Sequence, residues 1–320
     1  MNGDLRKRRE KTMNFKTKGE WLEIIIPLGW TGYSVDFILR DLWNGPKKQI
    51  HQLRMEKAIL INSELANWSQ PLRTGDRLQI KFFSEQDFGM IPAYIDVEIL
   101  YEDDHILVVN KPACIDTHPN EPNQANTLAN AVAFYLQSNG EQRKVIHIHR
   151  LDHGTSGAVL FAKHSFVGAI LDKMLEERKI SRTYVAITDG IINRKQGTIN
   201  APIGRDRHHP TKRRVSPTGQ AAVTHFKVLE KYPDSNRTLI QCQLDTGRTH
   251  QIRVHLSSIG HPIAGDILYG GSPVFPRTAL HAAKLSFVHP ITEEDIVCHA
   301  PFHDQPAIFP DHTLDLIKSI

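Results

Sequence analysis

The most informative stretch of this 320-residue chain is His149-Arg150-Leu151-Asp152-His153-Gly154-Thr155-Ser156-Gly157. Apolar and polar residues alternate as the chain enters it, which predicts a strand over 145–152. The two glycines permit a sharp reversal before the next apolar run. Asp152 is then expected at the mouth of a strand, where a scaffold holds a side chain rigidly. An aspartate before a glycine turn is by default only a turn residue, so its role depends on what the rest of the chain supplies.

A second informative segment lies far downstream: Thr246-Gly247-Arg248-Thr249-His250-Gln251-Ile252-Arg253-Val254-His255-Leu256. Apolar residues over 252–259 share one helical face, and Gly260 ends the helix. Arg253 lies off that apolar line, so its guanidinium is free to point at a site. Taken alone it would be a surface arginine. Together with Asp152 it suggests a buried ion pair in a nucleic-acid site.

Length and charge bound the organisation. A chain of this length and an apolar fraction of 40% predict one large domain plus a small one. Residues 1–20 hold seven Lys or Arg against three acids, which equals the net charge of +4 of the whole chain. We interpret 1–20 as a solvated basic tail. Any RNA-binding surface on the remaining residues must therefore be a local patch.

Cysteine usage and hydropathy indicate the compartment. The three cysteines are far apart and odd in number, without a CxxC pair, which favours a reducing environment. The apolar run 21–30 contains Glu23 and Pro27 and is too short to span a bilayer. The first residues lack the apolar core of a secretory signal. We expect a cytoplasmic protein without a membrane segment, and a monomer.

Residues 21–82 are predicted to form a compact unit. Helical spacing occurs over 35–42 and 50–54, and strands are predicted over 58–62 and 77–81. This order resembles a degenerate S4 RNA-binding module, a small α/β fold. An accessory fold that no longer binds RNA is the alternative. A linker is predicted over 83–93.

The texture changes in the remaining part of the chain, 94–320. Strand-like runs are interrupted by two helical patterns, which predicts a mixed α+β sheet domain. The strands are expected over 106–109, 158–161, 184–187 and 239–243, and the helices over 128–136 and 166–175.

The two long motifs resemble signatures of the RluA-type RNA pseudouridine synthases. Further segments match the same family in the same order: Asn110-Lys111-Pro112, Arg182-Thr183-Tyr184-Val185-Ala186, Pro202-Ile203-Gly204, Gly260 to Gly270, and His281-Ala282-x-x-Leu285-x-Phe287. The resemblance implies the α+β pseudouridine synthase fold, with a mixed, mostly antiparallel central sheet.

The resemblance also implies roles for individual residues. Asp152 falls on the catalytic aspartate, and Arg253 on the arginine that pairs with it. Tyr184 falls on the tyrosine that stacks on the target uracil, and Arg150 on the arginine that fills the space left by the extruded nucleotide. Arg182 stands where lysine is commoner, which keeps the charge.

A basic segment over 204–214 lies where the family places a mobile loop. Such a run is ordinarily a solvated loop; here we expect phosphate contacts that position RNA without choosing a sequence. The expected RNA-binding residues, in addition to Arg150, are Arg205, Arg207, Lys212, Arg213, Arg214 and Arg248.

The implied reaction breaks the N1–C1′ bond of uridine, turns the base and rejoins it through C5. It needs no redox change, and we expect no metal or organic cofactor. The ring cannot turn inside a helix, so the nucleotide must leave the stack. Asp152 then attacks C1′, attacks the ring or abstracts a ribose proton; the sequence leaves these three open.

Substrate and class alternatives also remain open. Large-subunit ribosomal RNA is the favoured substrate, and transfer RNA is the alternative. From other classes, the eighteen histidines raise a metal-dependent hydrolase, with His147 and His149 or His250 and His255 as ligands. A non-catalytic RNA-binding protein is the second alternative; retention of Asp152 argues against it.

Overall fold

The computed structural model describes residues 15–319 and begins with an N-terminal sheet. Its five strands are β1 (Phe15–Lys18), β2 (Trp21–Ile25), β3 (Ile59–Ile61), β4 (Glu64–Leu65) and β5 (Arg77–Lys81). They pair antiparallel in the order β1-β2-β5-β3-β4. Between β2 and β3 lie helix α1 (Val35–Phe37), which continues as a π-helical turn (Ile38–Leu42), and helix α2 (Lys47–Met55).

The two helices and two strands predicted for this unit are confirmed, but the basic tail is predicted too long. Residues 15–18 form strand β1, in which Phe15 and Thr17 are half-buried and the two lysines between and after them are exposed. The period-two pattern was hidden by the charge of the segment, because alternate residues of a strand face opposite sides. Residues 1–14 lie outside the described part of the chain.

The larger sheet contains most of the remaining strands. In chain order these are β6 (Glu98–Glu102), β7 (Ile106–Lys111), β8 (Ile146–His147), β9 (Ser156–Ala162), β10 (Ser181–Asp189), β11 (Gln196–Asn200), β14 (Val223–Tyr232), β15 (Arg237–Leu244), β16 (Leu280–Val288) and β17 (Asp295–His299). A separate hairpin is formed by β12 (Ile203–Arg205) and β13 (Arg213–Val215). The helices are α3 (Leu128–Ser138), α4 (Ser165–Glu176), α5 (Gln251–Ser258) and α6 (Thr313–Lys318).

The larger sheet is mixed and mostly antiparallel, as predicted. Its main path runs β11-β14-β15-β10-β16-β9-β7-β6, with β17 paired to β16 and β8 to β9. Among these pairs only β9 and β16 run parallel, with Ser156 opposite His281 and Gly157 opposite Ala282. The predicted α+β pseudouridine synthase architecture with a small N-terminal domain is confirmed.

The centre of the larger sheet is buried on both faces. On β7, Ile106 and Val108 pack with α4 and the N-terminal unit, whereas Leu107 and Val109 pack with α3. Such continuous apolar strands are expected where both faces are covered.

The N-terminal unit and α4 share one core. The Trp43 ring lies edge-on to Phe166 (6.3 Å between centroids), and Phe82 stacks on Phe166 at 4.8 Å. A side chain at Gly45 would place Cβ 2.7 Å from Phe166, so the close approach requires glycine. The predicted linker 83–93 contains no helix or strand, yet Phe83 is buried in this shared core. The domain limits at 82 and 94 stay a prediction.

Candidate active site

The loop that carries Asp152 is shaped by side chains rather than by strand pairing. The predicted strand over 145–152 is wrong beyond His147, where β8 ends. The backbone of Leu151 instead bonds one side chain: its N–H donates to Thr117 Oγ1 and its carbonyl accepts from the same hydroxyl, both at 3.0 Å. Thr155 N–H donates to the Asp152 carbonyl (3.0 Å), closing the turn.

Arg277 supports this loop from inside the protein. Its guanidinium donates to the Gly154 carbonyl (3.3 Å) and to Ser156 Oγ (2.9 Å), and it is held by two 2.6 Å bonds to Asp304. Arg277 is buried. The sequence analysis did not single it out, because nothing in the chain order relates residue 277 to the Asp152 loop.

Asp152 and Arg253 form the predicted ion pair. Arg253 Nη1 donates to Asp152 Oδ2 at 3.1 Å, while its Nε and Nη2 donate to Asp266 at 2.8 and 2.9 Å. The exposed fractions of the Asp152, Arg253 and Asp266 side chains are 19%, 12% and 1%. Burial opposes the charge of Arg253, but the bonds and charge of Asp266, and then those of Asp152, raise the pKa of the guanidinium above its usual range. Arg253 therefore stays cationic and stabilises an ionised Asp152.

The ion pair lies at one wall of an open cleft of about 720 Å³. Tyr184 on β10 lines the same cleft, and its side chain is buried. Burial raises the pKa of Tyr184, with Asp152 adding to the rise and Arg182 opposing it. The structure thus brings the three predicted catalytic residues together around one space large enough for a nucleoside.

A second cleft, of about 360 Å³, adjoins the first. Asp152, Arg150, His250 and Arg253 line both clefts. Asp152 therefore lies between two openings to solvent, which is where a flipped nucleotide and the strand that carries it would meet.

Two residues of the site were present in the quoted motifs without being assigned a role. His250, at the start of α5, has a left-handed backbone (φ 58°, ψ 21°), and its Nε2 lies 3.9 Å from Asp152 Oδ2. Tyr269 lies beside it, with Oη 2.8 Å from His250 Nδ1 and its ring 4.9 Å from the Arg253 guanidinium. A left-handed non-glycine residue is the signal available for His250, but only the structure reveals it.

The predicted RNA-binding residues lie at the cleft rim or on the β12–β13 hairpin. Arg150 and Arg248 line the larger cleft and are exposed. Arg248 Nε donates to the Ala221 carbonyl at 3.1 Å, which fixes its direction. The others are on the hairpin and do not line the cleft: Arg205, Arg207, Lys212, Arg213 and Arg214. Their contact with RNA stays a prediction, and the expected loop is partly strand.

The histidines that suggested a metal site have other contacts. His147 stacks on His118 (4.4 Å between ring centroids), and His149 accepts the Leu160 N–H at 3.2 Å. His255 is buried between Thr224 Oγ1 and the Ala201 carbonyl, at 2.8 and 2.9 Å. Across residues 15–319 no three side chains of His, Cys, Asp or Glu are grouped so as to hold a metal ion.

Comparisons with known proteins give the family. Residues 105–258 match the sequence model of the RNA pseudouridylate synthases, and residues 22–78 match that of the RluD ribosomal pseudouridine synthase N-terminal domain. The uncharacterized RNA pseudouridine synthase YhcT of Bacillus subtilis is 50% identical over 286 residues, covering 89% of this chain and 95% of YhcT. The chain belongs to the RNA pseudouridine synthase family.

Further relatives agree in sequence and in fold. The ribosomal large subunit pseudouridine synthase D of Haemophilus ducreyi is 35% identical over 309 residues, covering 90% of this chain and 91% of that protein. The structure of human RNA pseudouridylate synthase domain containing 1 superposes with a TM-score of 0.53 at 26% identity, over 67% of this chain and 86% of the human chain. The predicted enzyme class is confirmed, and the hydrolase alternative is wrong.

Proposed function

We propose that this protein isomerises uridines of large-subunit ribosomal RNA to pseudouridine, with Asp152 as the catalytic carboxylate. The observation that carries the proposal is the Asp152–Arg253 ion pair at the wall of the open cleft that Tyr184 also lines. A carboxylate enclosed without a partner would tend to take up a proton. The guanidinium keeps the negative charge available to a base that enters the cleft.

The proposed cycle follows from the positions of four side chains. The target uridine leaves its helix, and exposed Arg150 at the rim fills the vacated space. Unstacking costs a few kcal/mol, part of which is offset by stacking on Tyr184. Asp152 acts on the nucleotide while the N1–C1′ bond breaks, the base turns, and C5 bonds to C1′. The C5 proton is then lost and N1 gains one, so the reaction changes no oxidation state.

Ribosomal RNA is favoured as the target by the names of the relatives. Several that are 33–35% identical over at least 86% of this chain are ribosomal large subunit pseudouridine synthase D from different bacteria. The N-terminal match to the RluD N-terminal domain supports the same assignment. We propose a monomer that works in the cytoplasm; the three cysteines are free. None of the helices in the described residues is long and apolar enough to cross a membrane.

The test compares wild type with Asp152→Asn on the same RNA. Pseudouridines would be mapped in ribosomal and transfer RNA from cells with and without the gene, and the identified RNA would then be modified in vitro. Asp152→Asn is expected to abolish isomerisation while RNA affinity stays within about tenfold, because phosphate contacts dominate affinity. Substantial turnover by this variant would remove Asp152 from the mechanism. Lost sites confined to transfer RNA would refute the ribosomal target.

A further inference from the structure

A chain of contacts connects the β12–β13 hairpin to Asp152. The Arg213 backbone N–H donates to Tyr269 Oη at 2.8 Å, and the Lys212 ammonium lies 5.6 Å from the centre of the Tyr269 ring. Tyr269 Oη in turn contacts His250 Nδ1, and His250 Nε2 faces Asp152 Oδ2. The hairpin that we expect to contact phosphates is therefore linked to the reacting carboxylate through two side chains.

The direction of the hydrogen bonds fixes the tautomer of His250. Tyr269 Oη accepts the Arg213 N–H, and among residues 15–319 its own proton has one acceptor within reach, His250 Nδ1. Burial raises the pKa of Tyr269, so the hydroxyl keeps that proton. A neutral imidazole carries one N–H. The proton of His250 therefore lies on Nε2, the nitrogen that faces Asp152.

The imidazole is neutral although charged groups surround it. Burial lowers the pKa of His250; Asp152 and Asp266 oppose that shift, and Arg253 and Arg213 reinforce it. The His250 side chain is 14% exposed. A neutral donor holds a carboxylate in place without cancelling its charge, which a cationic imidazole would do.

Both donors face the same oxygen of Asp152. Arg253 Nη1 and His250 Nε2 lie 3.1 and 3.9 Å from Oδ2, while Oδ1 accepts no hydrogen bond from any residue that the structure describes. The 3.9 Å separation is longer than a hydrogen bond, and such contacts shorten when a substrate closes a site. Oδ1 is left as the oxygen that meets the nucleotide.

We propose that His250 and Tyr269 are positioning residues that orient the Asp152 carboxylate, and that RNA seated on the β12–β13 hairpin strengthens this orientation through the Arg213 backbone. The inference deepens the proposed function and rests on it. The left-handed backbone of His250 supports the assignment, since a non-glycine residue in that conformation is maintained only where its surroundings impose it. His250 and Tyr269 act through Asp152.

Two substitutions at position 250 separate positioning from a structural role. The amide of Asn overlays His Nδ1, whereas the amide of Gln overlays Nε2 and reaches toward Asp152. Asn tolerates the left-handed backbone better than Gln. If His250 positions Asp152, His250→Gln keeps kcat within about tenfold of wild type and His250→Asn loses about 100-fold, with KM changed little in both. If His250 only shapes the start of α5, Asn equals or exceeds Gln, and the inference fails.

A third variant tests the link through the hydroxyl. Tyr269→Phe keeps the ring against Arg253 but removes the donor to Nδ1, so the pKa of His250 rises and the acid limb of kcat moves to higher pH. The limb is expected to stay at the wild-type pH in His250→Gln, which cannot titrate. An unmoved limb in Tyr269→Phe contradicts the link. Thermal unfolding of each variant shows whether it is folded.

An NMR measurement decides the tautomer independently of turnover. In protein with nitrogen-15 histidine, the signal of His250 is identified by its loss in His250→Gln. Wild type is expected to carry the proton on Nε2, and Tyr269→Phe to give a mixture of tautomers. A wild-type proton on Nδ1 overturns the inference even if the enzyme is active. An Nε2 proton in a protein that modifies no uridine supports the hydrogen-bond chain and refutes the proposed function instead.

Discussion

Removing Arg253 is expected to destabilise the fold, whereas neutralising Asp152 is not, although both changes abolish activity. In Arg253→Met the Asp266 carboxylate loses two hydrogen bonds while its side chain stays almost fully buried, 1% exposed. Asp152 loses its partner as well, but it is 19% exposed and water reaches it. In Asp152→Asn, by contrast, Arg253 keeps both bonds to Asp266. The destabilisation therefore comes from Asp266.

The magnitude follows from the cost of an uncompensated buried charge. Breaking a buried ion pair from one side costs about 3–5 kcal/mol. Asp152→Asn keeps an oxygen that accepts from Arg253, and its cost is below about 1 kcal/mol. At about 2.1 cal/mol/K per residue, the unfolding entropy of this 320-residue chain is about 0.7 kcal/mol/K. The expected loss of Tm is then about 4–7 °C for Arg253→Met and under about 2 °C for Asp152→Asn.

Calorimetry of four proteins tests this reasoning: wild type, the two single variants, and the double variant Arg253→Met with Asp266→Asn. The double variant removes the orphaned charge together with its partner, so it is expected to recover more than half of the lost stability. Equal Tm values for the two single variants, or no recovery in the double variant, would refute the assignment of the cost to Asp266.

Two other predictions concern the hairpin and the turn after Asp152. Replacing Lys212, Arg213 and Arg214 with alanine is expected to weaken RNA binding and to flatten its logarithmic salt dependence by about 0.7–0.9 per lost phosphate contact, with Lys318→Ala as the exposed control; an unchanged slope would mean that the hairpin is only solvated. Gly157→Ala combines φ 115° with a clash against the Ala282 backbone, so we expect a loss above about 3 kcal/mol. The control Gly260→Ala, at φ 83° in open space, is expected to lose about 1–2 kcal/mol, and similar denaturation midpoints would contradict the close-approach argument.

The parts of the site that follow from short-range patterns were predictable. Asp152 precedes two glycines, and Gly157 does adopt a positive φ beside β16. Arg253 lies off the apolar line of α5, and the structure indeed turns it toward Asp152. Period and turn chemistry are local, so a single chain carries them.

Other parts depend on contacts between distant residues. The segment after His147 has a strand pattern, but Thr117 takes the backbone bonds that a neighbouring strand would have taken. Arg277 supports the Asp152 loop from more than one hundred residues away, and Tyr269 meets His250 across a turn. No periodicity encodes such pairs, because they arise only when the sheet has closed.

The interlocked rings of Trp43, Phe82 and Phe166 have a consequence for how a large RNA is chosen. With these rings in one shared core, the N-terminal unit and the cleft move together as a single body. The span between them is thus set before any RNA arrives, like the jaws of a fixed gauge. Little protein entropy is lost on association, and it is the RNA that must bend or open to reach both ends. A candidate whose uridine sits at the wrong distance from the second contact is rejected by geometry, whatever its bases.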